Sequence, residues 1–306
     1  MKVGIHMKHI FIINPAAGKA DSTNEIVGQL TKIKDLDYQV YITRVPKDAT
    51  EYIKNTCSEN PDTEYRFYAC GGDGTINEVA NGVMGFANAS MTAVPVGSGN
   101  DYVKYFGGRE KFMDLEKLVN GEEIMVDVLK VKDHYALNAV HFGFDTVVLK
   151  TMIEVKRKPI IGGKNAYYTG VIKGLFSGLN NKCMITADGE AMNDGNYMLC
   201  TVCNGTHVGG SFKSAPRSVI DDGYAEVCCF RVVPKIKIPV LIGKYSKGTH
   251  LDDPDCQKYI TYKRAKVVEL ESDEVMDISV DGELMSDKHF VIENLEKALK
   301  FVIPKE

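Results

Sequence analysis

The eighteen residues from Tyr65 to Gly82 constrain this chain more than any other stretch. Residues 65–70 (Tyr-Arg-Phe-Tyr-Ala-Cys) alternate aromatic and small side chains without a breaker, the pattern of a buried strand. Ile76, Val79, Ala80 and Val83 then recur at helical spacing, with Thr75 placed to cap the helix. Between them stands Gly71-Gly72-Asp73-Gly74-Thr75. A glycine turn from strand to helix lets the backbone approach a phosphate, and the helix N-terminus favours the anion. Asp73 in its middle suits a divalent cation beside that phosphate. A tight turn that merely requires glycine explains the loop equally well when it is taken alone.

The flanking residues repeat the theme. Lys8–Ile13 is an apolar strand followed by Asn14-Pro15-Ala16-Ala17-Gly18-Lys19. Ser22–Lys34 and Pro46–Ser58 have helical spacing, and Asp37–Thr43 is strand-like. Met91–Val96 forms a fourth strand, closed by Gly97-Ser98-Gly99-Asn100-Asp101. Strands alternating with helices predict a doubly wound parallel sheet, with Asn14, Thr43, Gly71–Thr75 and Gly97–Asp101 at one sheet edge. A helix is predicted near Asp114–Asn120. Asp127 then interrupts the apolar strand around Ile124–Val131 and needs a partner or a cation.

Beyond residue 130 the texture changes to short strand-like runs separated by turns, among them Tyr135–Phe142, Tyr197–Cys203, Ala225–Val233, Lys266–Leu270 and Asp277–Val280. They predict a mostly antiparallel β-sandwich over 131–292, interrupted by helical insertions at Asp145–Gly178 and Lys235–Lys247. Residues 293–306 are expected to return to the first domain, 1–130. Charge and cysteine usage narrow the class. A net charge of −4 argues against a nucleic-acid partner. The eight cysteines sit mostly in apolar runs, and Cys200-Thr-Val-Cys203 lacks a second pair to complete a zinc site. Reduced core thiols, no signal peptide before Lys8 and no bilayer-length apolar run predict a cytoplasmic protein, at most peripheral to a membrane.

Taken together, Asn14-Pro15 with Gly18-Lys19, Gly71-Gly-Asp-Gly-Thr-Ile-Asn-Glu78 and Pro95-Val-Gly-Ser-Gly-Asn-Asp101 resemble the diacylglycerol kinase catalytic-domain family, which includes sphingosine and ceramide kinases. The likeness continues through Asn138–Gly143, Asn204–Gly210, Ala215-Pro216, Asp221-Asp222-Gly223 and Ser279-Val-Asp281-Gly-Glu283. Ser211 departs from it, standing where the family commonly has a third glycine. The resemblance implies a lipid kinase using ATP and Mg2+, with its active site between two domains. Gly71, Gly72, Asp73, Gly74 and Thr75 would bind the triphosphate, and Asn14, Lys19, Thr43, Asn77, Glu78, Ser98, Gly99 and Asn100 would surround the nucleotide. Asp73, Asp101 and Asp127 would organise magnesium through water, and Asp222 a structural metal. Asp281 matches the general base and Glu283 an acid near nucleotide and metal. On residues alone, Asp281-Gly282 is a hairpin signal.

Diacylglycerol is the expected acceptor, with sphingoid bases, ceramide and isoprenoid alcohols as alternatives. An NAD kinase shares the glycine loop, and a catalytically silent lipid or nucleotide sensor on the same scaffold is the non-enzymatic rival. A homodimer is allowed. His207 is expected to be partly exposed and His141 a satisfied core residue. Lys150, Lys156, Arg157, Lys158 and Lys164 lie near apolar Pro159–Ile161, and Lys235, Lys237, Lys244 and Lys247 flank Ile238–Ile242. Basic residues beside an apolar wedge suit an anionic membrane surface, although each cluster alone is ordinarily a solvated helix face.

Overall fold

The computed structural model describes residues 7–156 and 179–306. Its first half winds through β1 (Met7–Ile13), α1 (Thr23–Leu30), β2 (Tyr38–Ile42), α2 (Asp48–Glu59), β3 (Glu64–Gly71), α3 (Asp73–Val83) and β4 (Ala89–Pro95). The four strands are parallel in the order β2-β1-β3-β4. Ile10–Ile13 and Tyr65–Cys70 are buried throughout, as interior parallel strands covered on both faces must be. α1 and α2 are shorter than their periodicity predicts. Thr75 does not cap α3: the cap position is Gly72, and Thr75 lies one turn inside.

The second half runs through α4 (Leu115–Val119), β5 (Glu122–Val131), β6 (His134–Ala136), β7 (Ala139–Gly143) and α5 (Phe144–Lys156). It continues with β8 (Asn181–Lys182), β9 (Met184–Ala187), β10 (Glu190–Ala191), β11 (Asn196–Tyr197), β12 (Leu199–Cys203), β13 (Ala225–Phe230), a helix here named α6 (Ile238–Lys247), β14 (Ile260–Ala265), β15 (Val267–Val280) and β16 (Glu283–Ile303). Lys266–Leu270 and Asp277–Val280, expected as separate strands, are the two ends of β15, joined through a bulge between Glu271 and Met276. Most pairings here are antiparallel, so the chain joins an α/β layer to a β-sandwich-like one. All eight cysteines are buried and unpaired, and burial pushes the Cys203 thiol up to about 12.

β16 makes the two halves one sheet. It begins as the hairpin partner of β15, runs antiparallel to β5, and ends parallel to β4 at Phe301 opposite Met91. Midway, between Leu295 and Leu299, the ladder bulges and Lys297 adopts a left-handed φ of 48°. Asp127 of β5 faces this bulge and is fully buried. Its carboxylate accepts hydrogen bonds from the backbone N–H of Lys297 at 2.8 Å and of Gly223 at 2.7 Å, and from Asn294 Nδ2 at 3.3 Å. Gly223 must be glycine, because its φ is +79° and a Cβ would lie 2.8 Å from the Glu296 carboxylate.

Phe301 anchors the far end of β16. Its ring stacks on Phe106 at 5.4 Å and meets Tyr102 edge-on at 5.2 Å, with no solvent exposure. Phe301→Ala is expected to cost about 3–5 kcal/mol by cavity formation. Urea unfolding reads this directly, and a loss below about 1 kcal/mol would show that the end of β16 is not part of the nucleotide-side core.

Candidate active site

Two spaces of opposite character meet at one side chain. The first is a polar cleft of about 330 Å³, walled by Asn14, Gly18, Gly72–Thr75, Glu78 and Gly97–Gly99. The second is a cavity of about 300 Å³ with apolar walls, among them Phe144, Leu179, Leu199, Phe230, Leu241 and Tyr245. Asp73 lines both, and Asp101 and Asp281 close the apolar cavity at the same end.

The cleft is built from glycine. A Cβ on Gly97 would lie 2.3 Å from the Gly72 Cα, and one on Gly99 would lie 2.4 Å from Asp73 Oδ2. The two loops therefore press backbone on backbone, with the amides of Val96 and Gly97 both donating to the Gly71 carbonyl. Asn14 Nδ2 ties β1 to Thr75 Oγ1 at 3.1 Å. No side chain caps α3, so its first N–H groups are left for an anion in the cleft.

Asp73 accepts the amides of Asn100 at 2.8 Å and Asp101 at 2.5 Å. Burial, and then the neighbouring Asp101 carboxylate, raises its pKa. Asp101 in turn accepts from Lys104 Nζ at 2.6 Å and from the Gly210 amide at 3.0 Å, which draws a loop of the second half onto the first. Lys104 belongs to no motif; its position three residues after Asp101 was the signal available. Two adjacent buried carboxylates, one of them raised by the other's charge, fit a cation bound between them and a phosphate.

Asp281 sits at the two-residue turn joining β15 to β16, with φ of 46° at Asp281 and 93° at Gly282. It is both a hairpin turn and a residue of the apolar cavity. Its carboxylate accepts the amides of Leu137 at 2.8 Å, Asn138 at 3.2 Å and Ala139 at 2.8 Å, and Asn77 Nδ2 at 3.1 Å. Burial nevertheless lifts its pKa to about 6, the hydrogen bonds moderating the rise. A carboxylate so placed is held in one orientation and is ionised at neutral pH.

Several expected residues stand elsewhere. Asn77 does not line the cleft: it donates to Asp281 and to the Tyr135 carbonyl, and so positions the carboxylate. Asp127 is at the β16 bulge, its oxygens taken by protein donors, outside both spaces; a role with catalytic magnesium finds no support in that geometry. Asp222 ion-pairs with Arg264 and accepts the Tyr224 amide. Lys19 is exposed, and Thr43 bonds the Ile13 carbonyl; neither walls the cleft. Glu283 lies 4.0 Å from His134 Nε2 and close enough to Glu78 to raise the latter's pKa, after burial. Asn100 braces its loop by donating to the Gly97 carbonyl at 2.8 Å. His141 is not satisfied: its Nδ1 has no hydrogen-bond partner and stands 4.0 Å from Asp145 Oδ2, both residues lining the apolar cavity.

Removing the Asn77 donor should destabilise ionised Asp281 and raise its pKa further. In Asn77→Ala the acidic limb of the kcat/KM–pH profile is expected to move upward from about 6, by up to about one unit. An unmoved limb would mean that Asn77 serves packing alone.

Comparison with known proteins finds matches to both halves of the chain. Residues 8–131 match the diacylglycerol kinase catalytic domain, and residues 138–303 match the YegS C-terminal NAD kinase beta sandwich-like domain. A diacylglycerol kinase of Bacillus subtilis is 29% identical over 302 residues, covering 96% of each chain. A Staphylococcus haemolyticus protein bearing a lipid-kinase name is 30% identical over 237 residues, 77% of this chain and 75% of that one. The solved structure of a diacylglycerol kinase from Bacillus anthracis strain Sterne shares the fold, with a TM-score of 0.69 and 23% identity over 97% of this chain and 96% of that chain. The chain belongs to the lipid kinase family that comprises diacylglycerol kinases and YegS-like lipid kinases.

Proposed function

We propose that this protein transfers the γ-phosphoryl group of ATP, with magnesium, to the hydroxyl of diacylglycerol, giving phosphatidic acid. The observation that carries this reading is the meeting of a glycine-walled polar cleft and an apolar cavity at Asp73, with Asp281 lining the apolar cavity. The cleft suits a triphosphate, whose charge the α3 amides face. Apolar walls suit acyl chains and disfavour a nicotinamide nucleotide, which carries further phosphates.

Asp281 would accept the proton of the lipid hydroxyl as that oxygen bonds to the γ-phosphorus, the bridging P–O electron pair leaving with ADP. Its four donors fix the orientation of the accepting oxygen. Asp73 and Asp101 would hold a magnesium ion through water, and that ion, when bound, neutralises charge on the transferring group. Asn77 and the Leu137–Ala139 amides would position the base.

The test is transfer of label from radioactive ATP into mixed micelles, each holding one candidate lipid. Label in phosphatidic acid, abolished by chelating magnesium, is the expected result. Label in a sphingoid base, ceramide or an isoprenoid alcohol would correct the acceptor. Label only in NADP when NAD is supplied would overturn the reading.

A further inference from the structure

Resting on the lipid-kinase reading, a second feature concerns how the protein meets its substrate. The segment Arg231–Lys247 carries five basic residues and no acidic one, in a chain whose net charge is −4. Within it, Val232 is 42% exposed, Ile236 86% and Val240 60%. Ile236 sits on the turn just before α6, and Val240 follows four residues later on its first turn. The opposite side of α6 is spent differently: Ile238, Leu241 and Tyr245 are buried and line the apolar cavity that ends at Asp281. One helix thus presents apolar side chains outward and walls the substrate cavity inward.

The basic residues divide. Lys244 is ion-paired with Asp253, so it adds little to any outward field. Arg231, Lys237 and Lys247 are exposed, with Lys237 Nζ lying 2.9 Å from Tyr259 Oη; Lys235 is exposed as well and has an interaction partner within the protein. The nearby carboxylates of Asp252, Asp253 and Asp255 are each engaged by a basic side chain, which leaves the positive sign of the surface intact. The other basic cluster places Lys150 on Asp277, while Arg157, Lys158, Lys164 and Pro159–Ile161 lie outside the described residues.

We infer that Val232, Ile236 and Val240 insert into the surface of an anionic bilayer, with Arg231, Lys235, Lys237 and Lys247 at the phosphate level, so that α6 stands between the membrane and the lipid cavity. Charge complementarity favours an anionic lipid surface over a second copy of this net-acidic but locally basic chain. Continuity with the apolar cavity gives the same orientation: an acyl chain leaving the bilayer along α6 meets apolar walls and not water.

The absence of tryptophan from the chain permits a direct test. Ile236→Trp, offered vesicles of phosphatidylglycerol and phosphatidylcholine, is expected to show a blue-shifted emission that fades with added salt and is absent with phosphatidylcholine alone. Val45→Trp, exposed in the loop after β2, is expected to show no shift. The double variant Ile236→Asp, Val240→Asp should bind the anionic vesicles at least about tenfold more weakly, while turnover of a water-soluble short-chain diacylglycerol is unchanged. Vesicle binding equal to wild type, equal shifts at positions 236 and 45, or a lipid-free dimer that the double variant dissociates would each overturn the inference. The binding arms use no ATP, so failure of the proposed reaction would leave their result standing.

Discussion

Asp281→Asn is expected to lower kcat by about 100- to 10,000-fold, the usual worth of a positioned general base. The substitution keeps the shape of the side chain and removes its capacity to accept a proton. It also turns one acceptor oxygen into a donor, facing amides of Leu137, Asn138 and Ala139 that themselves donate. Some stability is lost with it, about 1–3 kcal/mol, so a melting curve must accompany the kinetics. The wild-type pH profile supplies independent evidence. Below about 6 the carboxylate of Asp281 is protonated and cannot accept the hydroxyl proton. The sign follows: kcat/KM climbs roughly tenfold per pH unit up to about 6 and then levels. Stability runs the other way, since the folded state binds the proton more tightly than the unfolded chain, and this group's contribution declines as pH rises from about 4 to about 6. A folded variant with kcat within threefold of wild type would remove Asp281 from the chemistry.

Gly97→Ala is the second large effect. Its Cβ would lie 2.3 Å from the Gly72 Cα, and backbone cannot swing aside as a side chain can. The loops must part, which moves the amides of Val96 and Gly97 off the Gly71 carbonyl and disturbs the start of α3. The KM for ATP is expected to rise by about 10- to 100-fold, the scale of an ångström's misplacement in a phosphate cradle. The KM for lipid, read on a saturating nucleotide background, should change little because Gly97 lines only the polar cleft. An unaltered KM for ATP would place the nucleotide elsewhere.

How much of this was written in the linear sequence differs from residue to residue. Gly71–Thr75 and Gly97–Asp101 were legible because glycine at fixed spacing after a strand has few physical uses. Asp281 was legible as a hairpin, which the φ values bear out, and its reading as a base came only through its neighbours in the motif set. Asp127 was legible only as a carboxylate in need of compensation, for a reason that spacing cannot remedy. A carboxylate in an apolar strand demands compensation, and whether a cation or three protein donors supply it depends on a bulge some 170 residues away. The Asn77 contact was illegible in the same manner, since its partner Asp281 is 204 positions distant. The apolar cavity was invisible, because its walls are ordinary hydrophobic residues scattered over α5, β12, β13 and α6, one or two from each of the first three and four from α6. His141 was misjudged because a strand position says which face a side chain takes, not whether that face opens onto a void.

The course of β16 has a consequence for how the chain is made. The Thr92 hydroxyl of β4 donates to the Val302 carbonyl, and Phe301 fills the space beside Tyr102 and Phe112. A nascent chain that has exposed every nucleotide-side motif by residue 101 therefore still lacks the strand that covers the edge of β4. That edge waits through about two hundred further residues before its partner emerges, a long interval for an apolar strand border to stay unpaired. A thread order of this kind loads the fold with a contact of very long sequence separation, the kind that slows folding.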